Sequence, residues 1–300
     1  MDWNRRDFIA LGVVSALGSR SLLAQAPAAP AAPVVADFKD VRRNVGVFTA
    51  RGGTIGYLVT PDAVIVIDSQ FADTAPMFLD GLKPKTSRKI DLLINSHHHG
   101  DHTGGNKVMQ PSVAGIVAHA NVPGLQRKQA AAQQTEANQA YADTTFDKDW
   151  KTSIGKETVS ARHYGPAHTG GDIVVIFENA NVAHMGDLMS YQRSPRADRQ
   201  AGASIVNWVR VLETAVKDRS ADTIFIFGHA KAGERVTGSG KDLLELRDYL
   251  TAMLEFTRKA IASGRPIEEV VKTPAIPGFE RYEGTPVALQ AAYEELTAKS

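Results

Sequence analysis

Four separate apolar runs of this 300-residue chain each end on a histidine or an aspartate. They are AVIVIDS at 63–69, closing on Asp68; DLLIN at 91–95, running into His97; NVAHMGD at 181–187, closing on Asp187; and TIFIFGHA at 223–230, carrying His229. Short β-branched runs of this kind read as buried strands, and rigid scaffolds place their chemistry on loops at strand ends. Asp68 alone could equally be a turn cap. The repetition points to a sheet scaffold whose strand ends carry function.

The densest of these ends is SHHHGDHTGG, Ser96 to Gly105, with His97, His99, Asp101 and His102 inside six residues. Imidazoles and carboxylates are ligands for a borderline divalent ion such as zinc. In an extended segment, residues two apart share a face, so His97 and His99 can grip one ion while Asp101 and His102 turn toward a second. His98 should point elsewhere. A second motif, GPAHTGGDIVVIF at 165–177, sets His168 on a glycine-rich turn before another buried strand. His119, His163 and His184 lack this placement and read as structural.

Other chemistries find little support. With no cysteine, disulfides, thiolate ligands and a cysteine nucleophile are excluded, so any metal site uses nitrogen and oxygen only. There is no G-x-S-x-G elbow, and GERVTGSGKD at 233–242 lacks the spacing of a phosphate loop and reads as a plain loop.

Composition is that of a soluble globular protein, 43% hydrophobic and 22% charged. The N-terminus is a separate matter. NRRDF at 4–8 precedes an apolar run too short to span a bilayer, which reads as a signal peptide and, with Arg5 and Arg6 adjacent, resembles the twin-arginine export leader. The reading divides the chain into a leader at 1–26 cleaved near Ala24 to Ala26, a Pro/Ala linker at 27–39, and one domain at 40–300. It implies export machinery as a partner, a periplasmic address and no stable membrane anchor. Without the leader, basic and acidic residues balance, so a nucleic-acid partner is not expected.

Along the domain, residues 45–70 read as an antiparallel meander with turns at Gly52-Gly53 and Pro61-Asp62, followed by a helix at 74–82 and a strand at 113–119. Residues 124–142 read as a weakly amphipathic surface helix or a mobile loop. TFDKDWK and ETVSARHYG read as strands, and residues 204–217, 241–263 and 286–299 as helices with apolar stripes.

The ordered set H-x-H-x-D-H at His97 to His102, AHTGGD with His168, MGD with Asp187 and FGH with His229 resembles the metallo-β-lactamase superfamily over residues 40 to 260. The resemblance implies an α+β, four-layer αββα sandwich. It implies two Zn2+, other divalent transition metals also fitting, one held by His97, His99 and His168 and the other by Asp101, His102 and His229. Asp187 takes the bridging position and Asp68 orients ligands from behind. The implied reaction is hydrolysis by a metal-bridging hydroxide, with Asp101 as the catalytic residue that orients the water or carries the proton.

A small ester, thioester, lactone or amide is the substrate class this favours. Similar lactamases carry Cys where this chain has Asp187 and a carboxylate-binding Lys where it has Ser190, and their flap is longer than the Gly52-Gly53 loop. Ser190 is therefore a candidate for the substrate pocket and β-lactam hydrolysis the alternative. More distant are a di-iron redox module and a non-catalytic metal-binding one.

Overall fold

The computed structural model describes residues 34–298; the leader read at 1–26 lies outside the described residues. The first sheet holds seven strands in the order of the chain. They are β1 (Asp37–Arg42), β2 (Val45–Thr49), β3 (Ile55–Val59), β4 (Val64–Ile67), β5 (Leu92–Asn95), β6 (Ile116–His119) and β7 (Thr144–Phe146). β2 to β4 are the antiparallel meander read from the sequence, β1 adds a fourth antiparallel strand at its edge, and β4 to β7 run parallel. β1 begins at Asp37, inside the stretch read as linker.

The second half of the chain supplies β8 (Asp149–Ile154), β9 (Glu157–Arg162), β10 (Val174–Phe177), β11 (Val182–His184), β12 (Ser190–Tyr191), β13 (Ile224–Ile226), β14 (His229–Ala230) and β15 (Thr237–Gly238). Six of these form the second sheet, ordered β15-β13-β11-β10-β9-β8, while β12 and β14 pair on their own and set Ser190 opposite His229. The segment 233–242, read as a loop, instead contains β15 and a helix start. There Ser239 and Asp242 form a capping box, with the Ser239 N–H donating to Asp242 Oδ2 at 2.8 Å.

Helices fill the remaining connections: α1 (Ala75–Leu82), α2 (Gly100–Thr103), α3 (Asn106–Met109), α4 (Val122–Gln133), α5 (Ile205–Lys217), α6 (Gly240–Ala262), α7 (Ile267–Val270) and α8 (Thr285–Thr297). None of the described helices is long and apolar enough to cross a membrane. The surface helix read at 124–142 is shorter than that span. It stops at Gln133 because Gln134 turns left-handed, φ 55°, and the chain then makes a single 3-10 turn.

Strand alternation builds the layers. In β4, Ile65 and Ile67 join a core with Val175 and Phe177 of the facing sheet, whereas Val64 and Val66 pack outward on Phe78 and Leu82 of α1. Val174 and Ile176 of β10 face the opposite way, onto Trp208 and Leu212 of α5 and Leu246 and Leu250 of α6. Three apolar layers between four structural ones make the α+β αββα sandwich. Where α5 begins, the Glu295 carboxylate of α8 accepts from the Ile205 N–H at 2.7 Å and from Ser204 Oγ at 2.7 Å, an anion set on the positive end of the helix.

Candidate metal centre

The strand β5 delivers His97 fully buried, and the chain stays extended through His99, φ −63° and ψ 149°, before α2 turns it. The single turn of α2 is closed by the His102 and Thr103 N–H groups donating to the His99 carbonyl at 3.0 and 2.9 Å. This swing from strand to turn gives one short segment two ligand directions. His97 and His99 face His168 across the sandwich, and Asp101 and His102 face His229.

Within each group the ligand atoms lie within 4.8 Å of one another. His97 Nε2 is 3.1 Å from His99 Nδ1, which is 2.9 Å from His168 Nε2. On the other side, His229 Nε2 is 3.3 Å from His102 Nε2 and 3.1 Å from Asp101 Oδ2. Asp187 stands between the groups, with Oδ1 3.0 Å from His102 Nε2 and 3.3 Å from His229 Nε2, and Oδ2 3.5 Å from His168 Nε2. The seven predicted ligands form one cluster.

The hydrogen bonds behind the cluster show that it fits a cation. Asp68 accepts from the Ser96 N–H at 2.7 Å, from Ser96 Oγ at 2.7 Å and from His102 Nδ1 at 2.7 Å. Because the Ser96 hydroxyl proton goes to Asp68, Ser96 Oγ accepts from His97 Nδ1 at 3.1 Å. His99 donates its outer Nε2 proton to Asp198 Oδ2 at 2.9 Å, and His168 Nδ1 donates to the Arg196 carbonyl. Four rings are thus fixed with the proton outside and the lone pair inside, the tautomer a metal needs. Converging lone pairs repel unless a cation sits among them.

Two glycines make room for this arrangement. A Cβ on Gly53 would overlap His102 Cε1, so the pair read as a turn signal is also a close approach to a ligand ring. Gly186 holds φ 50°, and a Cβ there would lie 2.6 Å from Ser96 Oγ.

Burial and charge divide the cluster. Burial holds the His97 imidazole well below its ordinary range and His168 at about 4. Burial also acts to lower His102 and His229, but the Asp187 charge together with the hydrogen bonds to Asp187 and to Asp68 (His102) or Asp101 (His229) outweighs it, placing His102 well above the ordinary range and His229 at about 9. Burial would raise Asp101, yet its hydrogen bond from His229 and the nearby His102 bring it to about 2.

The residues read as structural take other posts. His184 donates from Nε2 to the Thr54 carbonyl at 3.0 Å and accepts at Nδ1 from the Gly186 N–H at 3.1 Å. His163 donates to the Asp172 carbonyl at 2.7 Å and packs against His119. His98 points away from the main cluster, toward Asp198. Sequence reasoning missed Asp198, which sits in the irregular segment SPRADRQAG with no strand to flag it, and Ser96, whose proton relay is invisible without coordinates.

Above the ligands lies a cavity of about 360 Å³, walled by Phe71, Gln133, Ser190, Arg193, Arg196 and Asp198 among others. Ser190 lies on that wall. Fold and ligand set together define a metal-binding αββα sandwich. The model of the metallo-β-lactamase superfamily matches residues 48–229, and the chain belongs to that family.

Similar proteins include a probable metallo-hydrolase of Methanocaldococcus jannaschii, 25% identical over 198 residues that make up 61% of this chain and 90% of the relative. A type 2 metallo-β-lactamase of Elizabethkingia meningoseptica is 23% identical over 69% of this chain and 77% of its own. Among solved structures, a double mutant of the sec-alkyl sulfatase PisA1 superposes with TM-score 0.68 at 13% identity over 89% of this chain, which spans 51% of the sulfatase. The DIM-1 metallo-β-lactamase gives 0.60 at 17% identity, covering 73% and 99%. These likenesses show a shared fold.

Proposed function

We infer that this chain is a metal-dependent hydrolase, in finer form a dinuclear zinc enzyme that cleaves a small ester, thioester, lactone or amide. The observation that carries this is the convergence of five imidazoles and two carboxylates on one cavity floor, four of the rings held with their lone pairs inward. Zinc bound there would supply Lewis acidity and a water ionised near neutral pH.

The residues divide the remaining tasks. His97, His99 and His168 would hold one ion and Asp101, His102 and His229 the other, with Asp187 standing between the two groups. Asp101 is an anion at the open edge of the cavity floor, 28% exposed, and can accept a proton from water at Oδ2 and pass it to the leaving group. Ser96 and Asp68 keep the rings oriented. Metal-reconstituted protein should hydrolyse one of a panel of model esters, thioesters, lactones and amides and lose that activity on chelation. Turnover that survives chelation would overturn the reading.

A second reading, β-lactam hydrolysis, is favoured by the similarity to the Elizabethkingia enzyme. Ser190 argues against it, since a hydroxyl cannot pair with the antibiotic's carboxylate as a lysine does. Penicillins, cephalosporins and carbapenems all left intact would dismiss it. The address is periplasmic, supported by Arg5 and Arg6; replacing both with Lys should retain the protein in the cytoplasmic fraction, and unchanged export would contradict the twin-arginine assignment.

A further inference from the structure

The wall of the metal cavity carries two cations that the ligand chemistry does not use. Arg193 and Arg196 are exposed and both line it. Among the described residues neither guanidinium pairs with a carboxylate, whereas nearby Arg199 meets Glu295 at 3.6 Å and Arg235 meets Asp242 at 2.5 Å. The carboxylates that line the cavity, Asp101, Asp187 and Asp198, are each turned to an imidazole at 3.1, 3.0 and 2.9 Å and do not neutralise the arginines. Bound dications would make the cavity more positive still.

Arg196 is also held in register with the floor. Its carbonyl accepts the His168 proton, and two residues on, the Asp198 N–H donates to the His168 carbonyl at 2.9 Å. The guanidinium therefore springs from backbone fixed to a ligand residue. The same side chain lines a second cavity of about 500 Å³ between α4 and α8, which shares Gln129, Gln133, Arg196 and Asp198 with the first and is otherwise partly apolar, with Leu125, Ala132 and Val287. Both volumes fall in the range of small-molecule sites.

We propose that Arg196, supported by Arg193, is an anion-binding subsite at the junction of the two cavities. The substrate is an elongated acyl compound bearing a carboxylate, its scissile bond over the ligand cluster and its remainder reaching into the second chamber. This rests on the hydrolase reading. A planar guanidinium matches a carboxylate with two parallel hydrogen bonds, and such charged bonds are worth about tenfold or more in affinity.

The test uses 4-nitrophenyl monoesters of glutarate and suberate beside the same esters with the distal carboxyl capped as a methyl ester. Water cleaves each to 4-nitrophenol and the acid. The free acids should show kcat/KM about tenfold or more above their capped partners, mainly through KM. Arg196→Gln, which keeps the carbonyl that holds His168, should bring that ratio toward one with metal content unchanged. Ala132→Trp, on the exposed side of α4, should slow suberate more than glutarate. Equal rates for free and capped esters, or a ratio unmoved in the Arg193→Gln, Arg196→Gln double variant, would overturn the subsite while leaving the hydrolase reading standing. Should no ester be cleaved, calorimetric binding of suberate decides it: binding that Arg196→Gln abolishes supports the subsite, and no binding overturns it.

Discussion

The floor and the wall of the cavity are built differently. The floor ligands sit at strand ends or in turns bonded to them, none is exposed, and four rings have a fixed outer hydrogen-bond partner. The wall comes largely from α4 and the irregular segment after β12, and its arginines, Arg193 and Arg196, are exposed. Chemistry that must work on any substrate is placed where backbone and hydrogen bonds over-determine it; recognition is placed where side chains can change without disturbing the sheets.

If that division is right, the largest effect belongs to the floor. Asp101→Asn should lower kcat by about a hundred- to ten-thousand-fold, the range for loss of a general acid-base group, with an unchanged circular dichroism spectrum. Near-normal turnover would remove Asp101 from the mechanism.

One layer behind, the effect should shrink. Asp68→Asn keeps the shape but loses the acceptor that fixes His102 and, through Ser96, His97; it should cost about 10- to 100-fold in metal affinity, read by competition with a chelating dye. An affinity equal to the parent's would show that the rings hold their own orientation.

The scaffold beneath should report through pH. Burial lowers His184, and both its nitrogens are used as a neutral ring uses them, one donating and one accepting. The unfolded chain takes up this proton near pH 6.5 while the folded chain does not, so the stabilisation is present above that pH and is lost as pH falls through it. The parent's unfolding free energy should drop between pH 7 and 5.5 by up to about 1.4 kcal/mol per unit from this group. His184→Gln should be less stable at pH 7 and show a shallower slope; an identical slope would contradict the assignment.

The smallest effect lies farthest from the cavity. Glu295→Gln weakens the anion at the start of α5 and should cost about 0.5 to 1 kcal/mol of stability with kcat/KM unchanged. A change in turnover would mean that α5 and α8 are coupled to the floor.

The same contrast explains what the sequence made legible. Asp68, His97, Asp187 and His229 could be read because each follows a short, continuous run of buried apolar residues and stands where that run stops. The His99 to His102 turn was legible through its spacing. Asp198, Arg193 and Arg196 carry no such signature, since a segment without repeating hydrogen bonds imposes no pattern on its side chains. Gly53 was visible as a turn residue, but its second role depends on a ring 49 positions later in the chain. β1 escaped because none of its residues DFKDVR is buried at this sheet edge and they lack the apolar run of a buried strand.

The central claim is that the floor is a dinuclear metal centre. Elemental analysis of the folded protein after reconstitution and desalting tests it most directly. The account predicts about two equivalents of divalent metal per chain, falling to about one in His168→Ala, with the Asp101, His102 and His229 group still loaded. Well under two equivalents in the parent, or a count that does not change in the variant, would contradict it.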